Sequence, residues 1–318
     1  MRRLLCVVFL FLLIVGCAKE EVPLNLPSER FVKQTIRPSP PEEISLEQAT
    51  ESDYDISEIL FNDILPGIGP EQGFGDGPWN HRIITAKATN PKVWTKEFRI
   101  VAEQASNPEA LVDKEGRLRI YFIDAKNKGT TVAIKHDDRW IYKKVGIEDG
   151  ATDTSVVITE DGMYRAYYQL ENRIFSANSK NGVYFDRDSG MRISGTSIDG
   201  FDVFKAPEGW KIIFSDSGKF FSSDSPDGLS FGTSRDTSIL GYGGDVLKAE
   251  DEYIFFYYSR FGNQTVIYSA SSKDGSSWMQ DSGVRLLGGS RVDKLGAFGP
   301  AAVKLGNGYK MAYYSKIK

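Results

Sequence analysis

The sequence predicts an all-β fold: a five-bladed β-propeller closed by N- and C-terminal strands that share one blade, preceded by a signal peptide and a tether. Two observations favour this fold. A repeat of about 46 residues runs from residue 81 to the C-terminus, and it begins and ends part-way through a unit. The composition agrees, because 318 residues with 41% hydrophobic side chains can bury a sizeable core.

The first residues have the pattern of a signal peptide. Arg2 and Arg3 precede an apolar run over residues 4–15, which is shorter than the roughly 20 residues of a membrane-spanning helix. The run ends in the sequence IVGC at residues 14–17, which resembles the lipobox of bacterial lipoproteins. The resemblance implies that Cys17 is lipidated and anchors the protein outside the cytoplasm, at the outer membrane if the cell is Gram-negative. The alternative is an ordinary secretory signal that contains a cysteine.

The chain before the repeat divides into three segments. Residues 1–16 are predicted to be the lipoprotein signal peptide, and residues 17–43 the lipidated cysteine and a flexible tether rich in Pro, Glu and Ser. Residues 44–80 are predicted to form a short helical and Gly-rich lead-in, with a helix over residues 57–65 and a loop over 67–77 packed against the main body. The propeller is predicted over residues 81–318.

The repeat is visible in two series of positions. An aromatic residue follows a tight turn in each unit, at intervals of 45 to 47 residues: Trp94, Trp140, Phe185, Phe231 and Trp278. Each unit also contains two short inner strands, the second of which covers residues 119–122, 165–168, 211–214, 254–257 or 311–314.

The phase of the repeat predicts how the ring closes. The hairpin over residues 82–102 lacks inner strands before it, whereas the inner pair over residues 300–315 lacks an outer hairpin after it. Together they complete one blade, so the two ends of the chain are predicted to close the ring and remove a free sheet edge. An open β-sandwich with similar strands is the alternative.

Three outer hairpins share the turn pattern S-x-N/D-G-x-x-F/W, at residues 179–185, 225–231 and 272–278. Asn-Gly and Asp-Gly supply the positive φ angles of a tight turn, and the serine can bond the backbone of the turn. We therefore expect these motifs to be structural, and we place no catalytic residue in them.

This turn pattern on a five-unit period resembles the five-bladed propellers of arabinanase-, xylosidase- and invertase-type glycoside hydrolases. The resemblance implies a protein that acts on glycans with two carboxyl groups at the axial mouth, where the inner strands begin. It also implies that Asn107 occupies the position of the general base, and Phe298 or Gly243 that of the acid. None of these three side chains can perform the proton transfer required of it, so the standard acid and base are missing.

Other carboxylates are predicted at the same rim. Asp153, Asp202 and Asp245 precede or open inner strands and are the candidate catalytic residues, because crowded carboxylates raise one another's pKa. The candidate substrate-binding residues are the remaining polar groups at the strand ends: Asn107, Glu109, Asp124, Glu171, Asp199, Asp216 and Arg260. The alternative for each acidic residue is that it bonds turn backbone or keeps the rim soluble.

Aromatic side chains near loops could stack on sugar rings. Trp79, Trp210 and Tyr242 are the candidates, with core packing as the alternative for Trp210. His81 and His136 have no Ser or Cys nucleophile at a recognisable spacing, so no hydrolase triad is predicted.

Three functions remain open: a surface-tethered glycoside hydrolase, a noncatalytic glycan-binding propeller, and a structural or protein-interaction propeller of the cell envelope. A carbohydrate ligand or substrate is the predicted partner, whereas the net charge of −4 gives no electrostatic footprint for nucleic acid. No cofactor is predicted. Calcium on the propeller axis, which occurs in some members of the resembled group, stays open, as does the oligomeric state.

Overall fold

The structure is a computed structural model that describes residues 61–70 and 75–317. The predicted signal peptide, Cys17, the tether and most of the lead-in lie outside the described residues, so those predictions stay untested. In the described part of the chain, no helix is long and apolar enough to cross a membrane.

The chain from residue 81 onward folds into five antiparallel sheets, which we number as blades in chain order. Blade 1 comprises β3 (Ala105–Val112), β4 (Leu118–Asp124), β5 (Gly129–His136) and β6 (Arg139–Lys144). Blade 2 comprises β7 (Thr154–Ile158), β8 (Tyr164–Leu170), β9 (Arg173–Ser179), β10 (Asp186–Arg187) and β11 (Ile193–Ser194). Blade 3 comprises β12 (Ile198–Ala206), β13 (Gly209–Asp216), β14 (Lys219–Ser225) and β15 (Arg235–Leu240). Blade 4 comprises β16 (Tyr242–Lys248), β17 (Tyr253–Phe261), β18 (Gln264–Ser272), β19 (Met279–Gln280) and β20 (Leu286–Leu287).

Blade 5 is built from both ends of the repeat region. Its outer strands are β1 (His81–Asn90) and β2 (Val93–Glu103), and its inner strands are β21 (Phe298–Leu305) and β22 (Gly308–Lys316). The strands β1 and β22 pair antiparallel in an unbroken register from His81 opposite Lys316 to Ala88 opposite Tyr309. The five-bladed propeller and its closure by the chain ends are therefore confirmed.

The innermost strands β3, β7, β12, β16 and β21 contact one another around the axis. Four of them contain a register shift near the mouth, where the backbone takes a positive φ at Asn107, Gly200, Gly243 and Gly299. A β-bulge of this kind bends a strand and redirects its side chains. The bulges therefore decide which polar groups face the mouth and which face the axis.

The turns at residues 179–185 and 225–231 join neighbouring blades. The Tyr121 hydroxyl in blade 1 donates to the Gly182 carbonyl of blade 2 over 2.9 Å, and Tyr167 in blade 2 donates to Gly228 of blade 3 over the same distance. Within each turn the serine hydroxyl accepts the glycine N–H at 2.9 Å. The five repeated aromatic side chains pack against the hydrophobic clusters between blades. These observations confirm the structural role predicted for the motifs.

Residues 61–65, the described part of the helix predicted over residues 57–65, are not helical, and residues 57–60 lie outside the described residues. The Asp63 N–H donates to the Tyr142 carbonyl over 3.0 Å, and the Tyr142 N–H donates to Asn62 Oδ1 over 2.9 Å. This segment therefore satisfies polar groups along the outer edge of β6. Gly67 forms a bridge with Glu103, so the beginning of the glycine-rich loop packs on the body as predicted.

Candidate functional site

A narrow pocket of about 30 Å³ opens where the inner strands begin. Its polar walls are Asn107, Glu109, Asp153 and Asp199, and Tyr258 closes one side. Glycines at the bulges, among them Gly200, let the strands approach so closely that a Cβ on Gly200 would lie 2.4 Å from the Gly243 Cα. The bulged backbone thus brings four polar side chains together around the narrow pocket.

Asp153 and Asp199 are the two carboxyl groups that share this pocket. Asp153 is half-buried and accepts the Thr154 N–H over 3.1 Å. Burial, together with the nearby charge of Asp199, raises the pKa of Asp153 to about 8. Asp199 is exposed at the rim, yet the surrounding walls remove enough water to raise its pKa as well. At neutral pH, Asp153 therefore holds a proton beside a more solvated carboxyl group.

Asn107 stands at the third polar position of the narrow pocket. Its Nδ2 donates to the Thr152 carbonyl over 2.9 Å, which links blade 1 to blade 2. Its backbone lies in the left-handed region with φ at 50°, a conformation that asparagine tolerates better than most residues. Asn107 is thus placed to bond a ligand and to brace the mouth, but an amide cannot act as a proton acceptor at neutral pH.

A wide cleft of about 710 Å³ adjoins the narrow pocket and shares Asp199 and Tyr258 with it. The charged residues that line this cleft are Asp199, Arg260 and Lys316. Arg260, at the end of β17, is exposed. The cleft therefore offers a larger, partly cationic space immediately outside the pocket that contains the carboxyl pair.

Five rings form an aromatic ladder, and all but the first of them line the wide cleft: His81, Tyr314, Phe298, Tyr258 and Tyr242. Consecutive ring centroids are 5.0, 5.2, 5.6 and 5.9 Å apart. Of these five rings only Tyr242, which is 43% exposed, was among the residues predicted to stack on sugar. The missed signal is the Tyr-Tyr pair at residues 257–258 and again at 313–314, which places a ring at the mouth end of two adjacent blades.

Below the narrow pocket lies an axial carboxylate cluster, defined by Glu109, Asp202 and Asp245. All three side chains are buried, and an oxygen of each lies within 4.8 Å of the others. Glu109 accepts the Val156 N–H at 3.1 Å, Asp202 the Val246 N–H at 2.9 Å, and Asp245 the Ala302 N–H at 2.6 Å. Each carboxylate is thus hydrogen-bonded to the backbone of an inner strand in another blade.

Between blades 2 and 3 a serine hydroxyl takes the place of the carboxylate that accepts the N–H of the neighbouring inner strand. The Ser155 hydroxyl accepts the Val203 N–H over 3.2 Å and donates to Asp202 over 2.7 Å. Burial raises the pKa of Asp202 to about 6. Burial is the main cause that raises the pKa values of Glu109 and Asp245 well above their usual range, and the charges of the neighbouring carboxylates raise them in the same direction. Asp202 and Asp245, which the sequence put forward as catalytic, therefore have structural contacts in the core of the ring.

The axial carboxylate cluster comprises the described residues that could hold a metal ion. Carboxylate oxygens are the ligands that Ca²⁺ prefers, so the cluster fits a divalent cation in charge and ligand type. Ca²⁺ takes six to eight oxygen ligands, and these three side chains already use oxygens to accept backbone N–H groups. Water would have to complete the coordination.

The remaining predicted residues lie apart from both cavities. Asp124 accepts hydrogen bonds from Asn127 and Thr131, and Asp216 from the N–H groups of Thr196 and Ser197. The Glu171 side chain is exposed and pairs with Arg173, also on the surface. Trp210 is buried in the core under Lys205, and Trp79 donates to the Gly75 carbonyl. For Asp124 and Asp216 the structure provides the backbone-bonding role that was the alternative to a ligand contact.

No protein-family model matches the chain, and no curated protein does. Several solved structures do match the chain. A thermostable family-43 glycoside hydrolase is 17% identical with a TM-score of 0.50, covering 65% of this chain and 88% of that one. An α-L-arabinofuranosidase from Clostridium thermocellum is 18% identical with a TM-score of 0.52, covering 64% and 80%. The chain shares their fold.

A protein of unknown function from Dyadobacter fermentans is also similar, at 14% identity and a TM-score of 0.54, covering 77% of this chain and 87% of that one. At such identities the similarity concerns the architecture of the propeller. The predicted likeness to arabinanase- and xylosidase-type propellers is confirmed at that level. What the mouth binds has to be argued from its own side chains.

Proposed function

We propose that the mouth of the propeller binds a glycan and hydrolyses a glycosidic bond, with Asp153 as general acid and Asp199 as its partner. The observation that carries this proposal is the pair itself: two carboxyl groups in one pocket, one of them held protonated at neutral pH. Two titratable groups with different environments are what acid–base hydrolysis requires. The α-L-arabinofuranosidase among the similar structures supports a carbohydrate as the substrate class.

The roles follow from the two environments. Asp153 holds a proton at pH 7 and can transfer it to the glycosidic oxygen as the bond to the anomeric carbon breaks. Asp199 reaches both the narrow pocket and the wide cleft, so it can accept a proton from the water that attacks that carbon. Asn107 can donate a hydrogen bond to a sugar hydroxyl beside them. Tyr242 and Tyr258, at the end of the aromatic ladder away from His81, offer ring surface for the sugar.

Sugar release from a panel of oligosaccharides and polysaccharides, measured with the full-length chain in detergent, tests this function. We expect Asp153→Asn and Asp199→Asn each to lower the rate by about 10²–10⁴, because each removes one proton-transfer step. Asp186→Asn is the matched control, since Asp186 is an exposed carboxylate on β10 outside both cavities. Release that survives undiminished in Asp153→Asn would refute the assignment of the acid.

Noncatalytic glycan binding is the second candidate function. It is favoured by Asn107, an amide where the resembled hydrolases have a base, which is engaged with the Thr152 carbonyl. Binding of an oligosaccharide by the unmodified protein without release of sugar would establish this function instead. The cleft of about 710 Å³ beside the mouth disfavours the third hypothesis, a purely structural propeller.

We further propose that the protein is a lipoprotein of the cell envelope, anchored through Cys17 outside the cytoplasm. The support is the basic start, the apolar run over residues 4–15 and the cysteine at the end of it. Several acyl chains on one residue give durable anchoring. We expect the wild-type chain to incorporate a labelled fatty acid and to sediment with membranes. The Cys17→Ala variant should not incorporate the label. An unlabelled wild-type chain would favour an ordinary secretory signal.

A further inference from the structure

We propose that the glycan carries a carboxylate, as in a uronic acid, and that this carboxylate binds Arg260 in the wide cleft. This inference rests on the proposed function and names the class of sugar that the site takes. It starts from the charges of the cleft. Of the residues that line the cleft, two are cationic and one is acidic.

The two cations differ in their availability. Lys316 forms a salt bridge with Asp76, and its Nζ lies 5.2 Å from the centre of the Phe298 ring. Arg260 is exposed and, within residues 61–70 and 75–317, forms no salt bridge. Its guanidinium is therefore the charge in the cleft that a ligand can neutralise. A guanidinium presents parallel N–H donors that match the two oxygens of a carboxylate.

The strand geometry places this charge beside a stacking surface. Tyr258 and Arg260 are two residues apart on β17, so their side chains leave the same face of the strand about 7 Å apart. That separation suits a pyranose ring that lies against Tyr258 while a carboxylate at its edge reaches Arg260. Tyr242 lies opposite Tyr258 in the sheet and extends the same surface.

The same sugar, or its neighbour in the chain, would approach the narrow pocket. Asp199 and Tyr258 line both cavities, so a ligand that contacts Arg260 and Tyr258 is already at the entrance to the carboxyl pair. The negative charge of Asp199 repels a carboxylate placed beside it. The acidic group is therefore directed to the Arg260 side of the cleft, which orients the sugar.

Binding of uronic-acid oligosaccharides and of the same oligosaccharides after reduction of their carboxyl groups tests the inference. The panel contains galacturonate, glucuronate and mannuronate oligomers, titrated into the full-length protein in detergent. We expect at least one acidic oligomer to bind tenfold or more tightly than its neutral counterpart, with the preference falling as salt rises. Arg260→Gln should remove the preference, and Arg260→Lys should keep part of it because the charge remains.

The matched control is Arg139→Gln, which removes an exposed arginine from the outer strand β6 and should leave the preference unchanged. Equal binding of acidic and neutral oligomers, or a preference that survives in Arg260→Gln, would overturn the inference while leaving the proposed function standing. Binding of neither kind, together with no sugar release, would overturn both. The two failures are therefore distinguishable.

Discussion

Replacing Arg119 with methionine is expected to lower the free energy of unfolding by about 3–5 kcal/mol, the range for breaking a buried ion pair by removing one partner. Arg119 is 1% exposed, and its Nε donates to Asp113 Oδ2 over 2.9 Å. Its Nη1 donates to the Asn181 carbonyl of blade 2 over 2.7 Å. Methionine preserves much of the volume but leaves a buried carbonyl and part of a buried carboxylate without a donor.

Arg117→Met is the matched control for this substitution. Arg117 also donates to Asp113, but its side chain is 14% exposed and makes no contact with blade 2 among the hydrogen bonds of the described residues. We therefore expect a smaller loss, about 1 kcal/mol. Urea unfolding at constant m-value measures both variants. If Arg119→Met lay within about 1 kcal/mol of the wild type, the pair would not be an important link between blades 1 and 2.

The fold could be predicted from the sequence because every blade packs against its neighbour in the same way. Every unit needs an aromatic side chain to fill the gap to its neighbour, so Trp94, Trp140 and their equivalents recur at nearly constant spacing. The closure of the ring could be predicted for a related reason. A hairpin without inner strands and an inner pair without a hairpin each leave unpaired edges, and one blade made from both removes them.

The candidate site was predicted only in part, because single-residue bulges decide where each side chain points. Asp199 and Asp202 are three residues apart on β12, and a regular strand would put them on opposite faces. In the structure a register shift between Ile198 and Phe201, with Gly200 at φ 90°, interrupts the strand between them. Asp199 lines the cleft, and Asp202 belongs to the axial carboxylate cluster. The sequence shows a glycine there, but it does not show which way the bulge turns the chain.

The aromatic ladder could not be assembled from the sequence for a different reason. Its members come from both ends of the repeat region, with His81 on β1 and Tyr314 on β22, and they meet only because blade 5 closes the ring. Phe298 was considered as a position that lacked an acid. In the structure its ring stacks on Tyr314 and meets Tyr258 in a T-shaped contact, so the position contributes apolar surface to the lining of the cleft.

The second large effect is expected at the axial carboxylate cluster, where Glu109→Gln should stabilise the protein at high pH. Burial and the charges of Asp245 and Asp202 raise the pKa of Glu109 well above its usual range. A group whose pKa is higher in the folded than in the unfolded state contributes stability below the unfolded value, near 4, and loses it as pH rises. The folded protein must then keep a proton on Glu109 that the unfolded chain releases.

Glutamine removes that requirement while its side-chain oxygen can still accept the Val156 N–H. The stability of Glu109→Gln relative to the wild type should therefore grow as the pH rises above the unfolded value near 4, by about 1 kcal/mol for each pH unit over which Glu109 stays protonated in the folded protein. Urea unfolding in the presence of a chelator measures this difference, and Asp186→Asn, an exposed carboxylate, should show no such trend.

A variant that is destabilised equally at pH 5 and pH 8 would contradict the prediction, because it would show that Glu109 acts only through its contact with Val156. Calcium provides the complementary experiment. If Ca²⁺ raised the stability of the wild type at pH 8 but not that of Glu109→Gln, the cluster would exchange its protons for a cation, which the charges of Glu109, Asp202 and Asp245 permit. If the stability follows pH or Ca²⁺ in this way, the inner strands are held together by groups whose charge must be neutralised, and the centre of the ring couples its stability to the solution around it.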